Sequence, residues 1–243
     1  MPRALRTVRA LLLLLLAAGA CQPAPQPAVL PTPRIMTVQV SPTLTIFAEQ
    51  FQACAEEMPE IGLVVLERPA GAFDPEQSKI ALRWGAGNMP EGYAAVIGEE
   101  ALVLVVHPDN PLDQIRLEDA RAIYQGTLRD WQEPAPPAEI QAWAYPAGDD
   151  AQAVFENALL DGAPAAQRVV YLAPDPAAMR EAIAANPAAI GFLPARWVDG
   201  SVKALPVAGL EPERLRQPLL AVSEAEPRHP EKSWLICLQE QRK

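Results

Sequence analysis

The chain is short of the residues that most enzymes and metal proteins use. It has two histidines, His107 and His229, and three cysteines, Cys21, Cys54 and Cys237, scattered over 243 residues. None of these shows the spacing that brings several donors onto one ion, so neither a metal nor a cofactor is expected. No G-x-x-x-x-G-K-[ST] loop occurs, and no serine lies in a nucleophile-elbow pattern. Asp109, Asp149 and Asp150 could in principle serve as paired acids. However, neighbouring carboxylates at a helix start point to opposite sides, and an enzyme is not expected. Positive charge is also scarce, with 20 basic against 30 acidic residues and a net charge of −10. Such a chain repels nucleic acid at long range, which removes that class of partner. The longest apolar stretch is only about 8 to 12 residues, too short for the roughly 20 of a membrane span.

That short stretch belongs to a pattern at the front of the chain. Arg3, Arg6 and Arg9 precede an unbroken leucine run at 11–16, extended by Ala17 and Ala18, and Gly19 and Ala20 come just before Cys21. Positive charge, a short apolar core and small residues, in that order, read as a signal peptide over residues 1–20. A cysteine directly after the small residues resembles the lipobox of bacterial lipoproteins, although Ala18 stands where such boxes usually carry leucine. The resemblance implies a thiol that receives a diacylglyceryl group with palmitate-type chains, and a protein held outside the cytoplasmic membrane, at the cell surface or in the periplasm. The other reading is an ordinary secretory signal with Cys21 there by chance. Acyl carbons buried at about 0.8 kcal/mol per methylene would make the anchor durable. Residues 21–34 then hold Pro23, Pro25, Pro27, Pro31 and Pro33. A chain this rich in proline favours extended polyproline II and would act as a tether reaching roughly 40 Å. A stretch without mechanical role is the alternative.

From residue 35 onward the chain is long enough for one large domain or two small lobes. Half the composition is apolar and 21% charged, so a substantial core is expected. Without Arg3, Arg6 and Arg9 the balance becomes 17 basic against 30 acidic residues, a net charge of −13. Cys54 and Cys237 remain once Cys21 is set aside. In an oxidising compartment they suggest a disulfide; two buried thiols are the alternative.

The apolar pattern alternates between strand and helix periods. Strands are expected at 35–40, 61–66, 79–84, 101–106, 140–145, 169–172, 189–193 and 219–223. Helices are expected after Ser41-Pro42 and at 117–124, 149–160, 177–185 and 233–241. Serine followed by proline reads as an N-cap and first helical position. Leu44, Phe47, Phe51, Ala55 and Met58 follow at helical spacing. Alternation of this kind argues for an α/β architecture.

Three segments carry a family resemblance. The stretch LVLVVHPDNPLDQIRLEDARAIYQGTLRDW, from Leu102 to Trp131, resembles the central segment of phosphate-type substrate-binding proteins of ABC transporters. NPAAIGF, from Asn186 to Phe192, is similar to a second signature of that family. QPLLAVS, from Gln217 to Ser223, is similar to its returning crossover strand. The resemblance implies a two-lobed type II periplasmic binding protein-like fold, with two mixed sheets flanked by helices and two hinge crossovers. Lobe one would hold residues 35–106 and 219–243, and lobe two residues 107–218. Hinges would lie near 107–111 and 218–222. Such lobes close on a small-molecule solute by hinge bending, and the protein would act as a monomer that delivers its solute to an ABC permease. On this layout Cys54 and Cys237 fall on the first and last helices of lobe one, where they would bridge.

The same resemblance points to ligand-binding residues and to departures among them. Ser41, Thr43 and Thr45 place hydroxyls at the start of the first helix, where the family holds an oxyanion with hydroxyls and backbone amides. Plain N-capping is the other reading. In the second loop, where the family carries arginine and hydroxyls, this chain has Tyr145, Gly148, Asp149, Asp150 and Ala151. Either aspartate could cap its own helix. Alternatively a carboxylate replaces the anionic ligand, or the cleft selects an amine or a neutral compound. A third family loop is missing from ERPAGAFDPEQSK, between Glu67 and Lys79. Arg83 could supply the lost cation, pair with Asp149 across the cleft, or sit solvated at the surface. Trp84, Trp143 and Tyr145 could line a pocket or lie in the core. Phosphate itself is a poor fit, and solute binding stands beside a second reading. That alternative is an envelope interaction or sensing module built on a binding fold that has lost its pocket.

Overall fold

The computed structural model describes residues 32–85, 92–132 and 138–241. The signal, Cys21 and most of the tether lie outside the described residues.

Eleven strands are present among them: β1 (Arg34–Val40), β2 (Ile61–Glu67), β3 (Ile80–Trp84), β4 (Tyr93–Val106), β5 (Ile115–Arg116), β6 (Gln141–Ala144), β7 (Val170–Leu172), β8 (Ala189–Pro194), β9 (Lys203–Ala204), β10 (Val207–Ala208) and β11 (Arg216–Ser223). The helices are α1 (Ala48–Glu56), α2 (Leu117–Tyr124), α3 (Asp150–Leu159), α4 (Pro176–Ala184), the single turn α5 (Pro212–Leu215) and α6 (Glu231–Glu240).

The main sheet runs β2-β1-β3-β11-β4-β8-β6-β7. It consists of two ladders that share β4. Residues Tyr93 to Ala101 of that strand pair antiparallel with β11, and Leu102 to Val106 pair antiparallel with β8. The chain therefore passes from one ladder to the other between Ala101 and Leu102. This lies upstream of the segment 107–111, which forms a turn closed by the Asn110 amide on the His107 carbonyl at 2.9 Å. β4 also begins eight residues before the strand read from sequence. Of its first seven residues only Ile97 is buried, whereas most of the second half is buried.

Each ladder has its own covering layer. On the first, α1 turns Phe51, Cys54 and Ala55 inward at helical spacing, and α6 turns Trp234, Leu235 and Leu238. The Trp234 indole donates to the Phe51 carbonyl at 3.0 Å, and the two rings lie 6.0 Å apart. Cys54 and Cys237 are joined between these helices, with Cα atoms 5.8 Å apart. On the second ladder all six residues of β8 are buried. Phe192 stacks on Phe155 at 4.0 Å and meets Tyr145 edge-on at 5.3 Å. Gly191 lets α4 press onto this strand, since a Cβ there would come within 2.6 Å of the Met179 sulfur.

The start of the first helical segment differs from the expectation. Pro42–Phe47 winds as a 3-10 helix before α1 begins, and Ser41 makes no capping hydrogen bond. Its hydroxyl is engaged elsewhere.

Candidate functional site

β1 and β3 run parallel, and their carboxyl ends deliver Ser41 and Trp84 to one edge of the first ladder. β6 ends at Ala144 on the second ladder and leads through Tyr145 and Gly148 into the start of α3. In α/β sheets, ligands bind outside such carboxyl ends where strand order reverses. Here the two edges meet. The Gly71 amide donates to the Gly148 carbonyl at 3.1 Å, and the Trp197 indole donates to the Thr43 carbonyl at 2.9 Å.

The centre of the junction is Asp150. Its Oδ1 accepts the Thr43 hydroxyl at 2.5 Å, and its Oδ2 accepts the Trp84 backbone amide at 2.7 Å. Ser41 Oγ lies 2.8 Å from Thr43 Oγ1. Because Thr43 spends its proton on Asp150, Ser41 is the donor within that pair, and the two hydroxyls form a relay ending on the carboxylate. Ser41, Thr43 and Asp150 are all buried. Their contacts span 107 residues of sequence.

Asp149 does something different. It is the N-cap of α3, and its Oδ1 accepts from the Ala151 amide at 2.8 Å and the Gln152 amide at 3.4 Å. Successive helical residues are rotated by about 100°, so one aspartate folds back on the helix while the next turns to the opposite edge. Burial and the neighbouring Asp150 charge push the Asp149 carboxyl up to about 7, against the pull of the two helix amides. Burial also raises Asp150, opposed by the Ser41 and Thr43 hydroxyls and the Trp84 and Ala151 amides. Burial thus holds both carboxyls above the ordinary carboxylate range, and each charge raises the cost of the other.

A cleft of about 1020 Å³ opens beside this cluster. Asp150 and Trp84 reach its wall, whereas Ser41 and Thr43 lie behind Asp150 and do not. The carboxylate thus stands between the hydroxyls and any solute. The accessible wall is mixed, with Phe73, Arg83, Gln152, Glu156, Gln167 and Gln217 among its residues. Glu156 is held in place by Gln152 Nε2 at 2.8 Å and by the Ala165 amide at 3.1 Å.

The other residues read as ligand contacts divide between wall and framework. Arg83 and Gly148 line the cleft. Thr45 does not, because its hydroxyl donates to the Pro42 carbonyl at 2.9 Å within its own turn. Trp84 is 1% exposed, and its indole is bonded to the Gln217 carbonyl at 3.3 Å. The Tyr145 hydroxyl donates into the core, to the Phe192 carbonyl at 3.1 Å. Burial and the Asp149 charge keep that phenol protonated by raising it well above its ordinary range. Trp143 stacks on Tyr171 at 5.3 Å and is not part of the wall. The missing third loop is a single 3-10 turn, Ala70–Ala72. Sequence reasoning overlooked Gln152 and Glu156. Their spacing from Asp149, three and seven residues, places all three on one helical face and was the available signal.

Among the described residues no helix is long and apolar enough to cross a membrane. Residues 94–219 match a family model described as a PBP superfamily domain. Comparison with curated proteins gives no match. Solved structures match in shape at low identity. One from Clostridium perfringens, described as a phosphate ABC transporter substrate-binding protein with bound phosphate, has TM-score 0.73 at 19% identity, covering 84% of this chain and 93% of that one. An ABC-type phosphate transport receptor from Vibrio cholerae has TM-score 0.65 at 18% identity, with coverage of 84% and 93%. The Synechocystis CcmR regulatory domain in complex with 2-PG has TM-score 0.60 at 12% identity, covering 86% and 97%. The fold is therefore the two-lobed one of periplasmic binding proteins.

Proposed function

Since this chain belongs to the PBP superfamily, whose members of this fold include substrate-binding proteins, we propose that it is an extracytoplasmic solute-binding lipoprotein. It captures a small solute between the lobe built on the first ladder and the lobe built on the second. β4 passes from one to the other. The solute is offered to an ABC permease, and the protein works as a monomer held by a lipid on Cys21. The observation that carries the reading is the cleft of about 1020 Å³ at the carboxyl ends of strands from both ladders. Its volume suits a small organic molecule.

Phosphate is not the solute of this reading. The hydroxyls that would hold it already serve Asp150, and a free oxyanion approaching from the cleft meets that charge first. The wall instead offers Glu156, Gln167 and Gln217 beside Arg83 and the apolar face of Phe73, which suits an amine held by Glu156 or a neutral polar compound. One observation favours the interaction or sensing module: the protein's own groups already join the two edges, through Thr43 and Trp84 to Asp150 and through Gly71 to Gly148.

Titration calorimetry against oxyanions, amino acids, polyamines and sugars decides between them. Solute binding predicts saturable one-to-one binding of an amine or neutral member, weakened at least tenfold by Glu156→Leu, with no response to phosphate. Silence across the panel, together with specific protein partners recovered by crosslinking, would overturn solute binding in favour of the module.

A further inference from the structure

Hydroxyls and amides that converge on one point, away from water, form a seat for an anion. Three such groups converge here. The Thr43 hydroxyl and Trp84 amide donate directly, and the Ser41 hydroxyl supports Thr43 from behind. Ser41 and Thr43 are 2% and 1% exposed, so without an acceptor their hydroxyls would be stranded. The acceptor comes from a distant part of the chain, on the other ladder, with Oδ1 toward Thr43 and Oδ2 toward Trp84. The O–H···O contact at 2.5 Å falls in the short range of charge-assisted bonds.

We propose that Asp150 is a built-in counter-ligand: its carboxylate fills an anion seat of the fold and sets the specificity against free oxyanions, so that removing this one group leaves a site for a small carboxylate. The tethered carboxylate competes at an effective concentration that no free anion reaches, which keeps the seat closed in the wild type. Asp149 cannot take its place, since that side chain is committed to the α3 amides. The inference goes beyond the solute-binding reading, and either can fail while the other stands.

Size-matched rescue tests it. Asp150→Ala deletes a group the size of formate, and Asp150→Gly deletes one the size of acetate. Each variant melts below the wild type. Formate at about ten times its Kd raises the melting temperature of D150A by about 3–5 °C, and acetate does the same for D150G. The wild type and D150N, whose seats remain filled, do not move. Chloride at equal ionic strength gives no shift in any of them, and adding Thr43→Val to D150A abolishes the rescue. The proposal is overturned if formate shifts wild type and D150A alike, if folded D150A ignores formate, or if the double variant is still rescued. Should the variants not fold unaided, refolding with the matched anion is the readout. Recovery of the native near-ultraviolet signal supports the seat, and failure to recover it overturns the proposal.

Discussion

Stability should fall as pH rises through neutrality, and Asp149 is the reason. Its carboxyl is pushed up to about 7 in the folded protein, from an ordinary value of 3.8. Burial and the adjacent Asp150 charge both favour its neutral form. Between these two values the folded state therefore binds more protons than the unfolded state. Stability is then greatest below the lower value and declines until the higher one is passed. Going from about pH 5 to about pH 8.5, the loss from Asp149 alone is about 2–3 kcal/mol, lowering the melting temperature by roughly 5–10 °C for a chain of this size. Asp150 is raised by burial too, so its contribution has the same sign. Asp161, Asp199 and Glu226 are lowered by their hydrogen-bond partners, and their effect falls at more acidic pH. Urea unfolding followed by tryptophan fluorescence at fixed pH measures the slope. Asp149→Asn is the control, because asparagine caps a helix as well as aspartate does but does not titrate. A wild type equally stable at both pH values, or a D149N variant with an undiminished slope, would overturn this account of Asp149.

The bridge between Cys54 and Cys237 closes a loop with a sequence separation of 183, and its reduction should cost about 5 kcal/mol through the entropy returned to the unfolded chain. An unchanged urea midpoint in C54S/C237S would contradict this. Phe192→Ala should destabilise by about 3–5 kcal/mol, since the ring is fully buried between Phe155, Tyr124 and Tyr145. A loss below about 1 kcal/mol would mean that the site collapses around the gap. Cys21→Ala should abolish incorporation of labelled palmitate in the host, and continued labelling would place the lipid elsewhere or remove the lipoprotein reading.

Much of the framework was legible because it rests on local periodicity. The alternation of strand and helix, the long apolar half of β4 and the Pro42 start all follow from neighbours within a few residues. The first half of β4 was not legible, because only Ile97 of its first seven residues is buried and their partner strand lies more than a hundred residues away. The leftover cysteines suggested a bridge, but the distance between their backbones is set by how α1 and α6 pack. Tyr145 and Trp84 could be read as pocket or core aromatics; both border the cleft, and both are buried with their polar atoms donating to the Phe192 and Gln217 carbonyls.

The two aspartates divide most clearly between what the sequence determines and what it leaves open. The chain alone places a pair of carboxyls at a helix start and a pair of hydroxyls after the first strand. It also determines that either aspartate is able to cap. Which one does so, and that the other reaches Ser41 and Thr43, was decided by tertiary structure. Capping is satisfied within three residues, and a rotation of about 100° per residue directs the next side chain outward. Only the packing of the two ladders brings anything there to meet it.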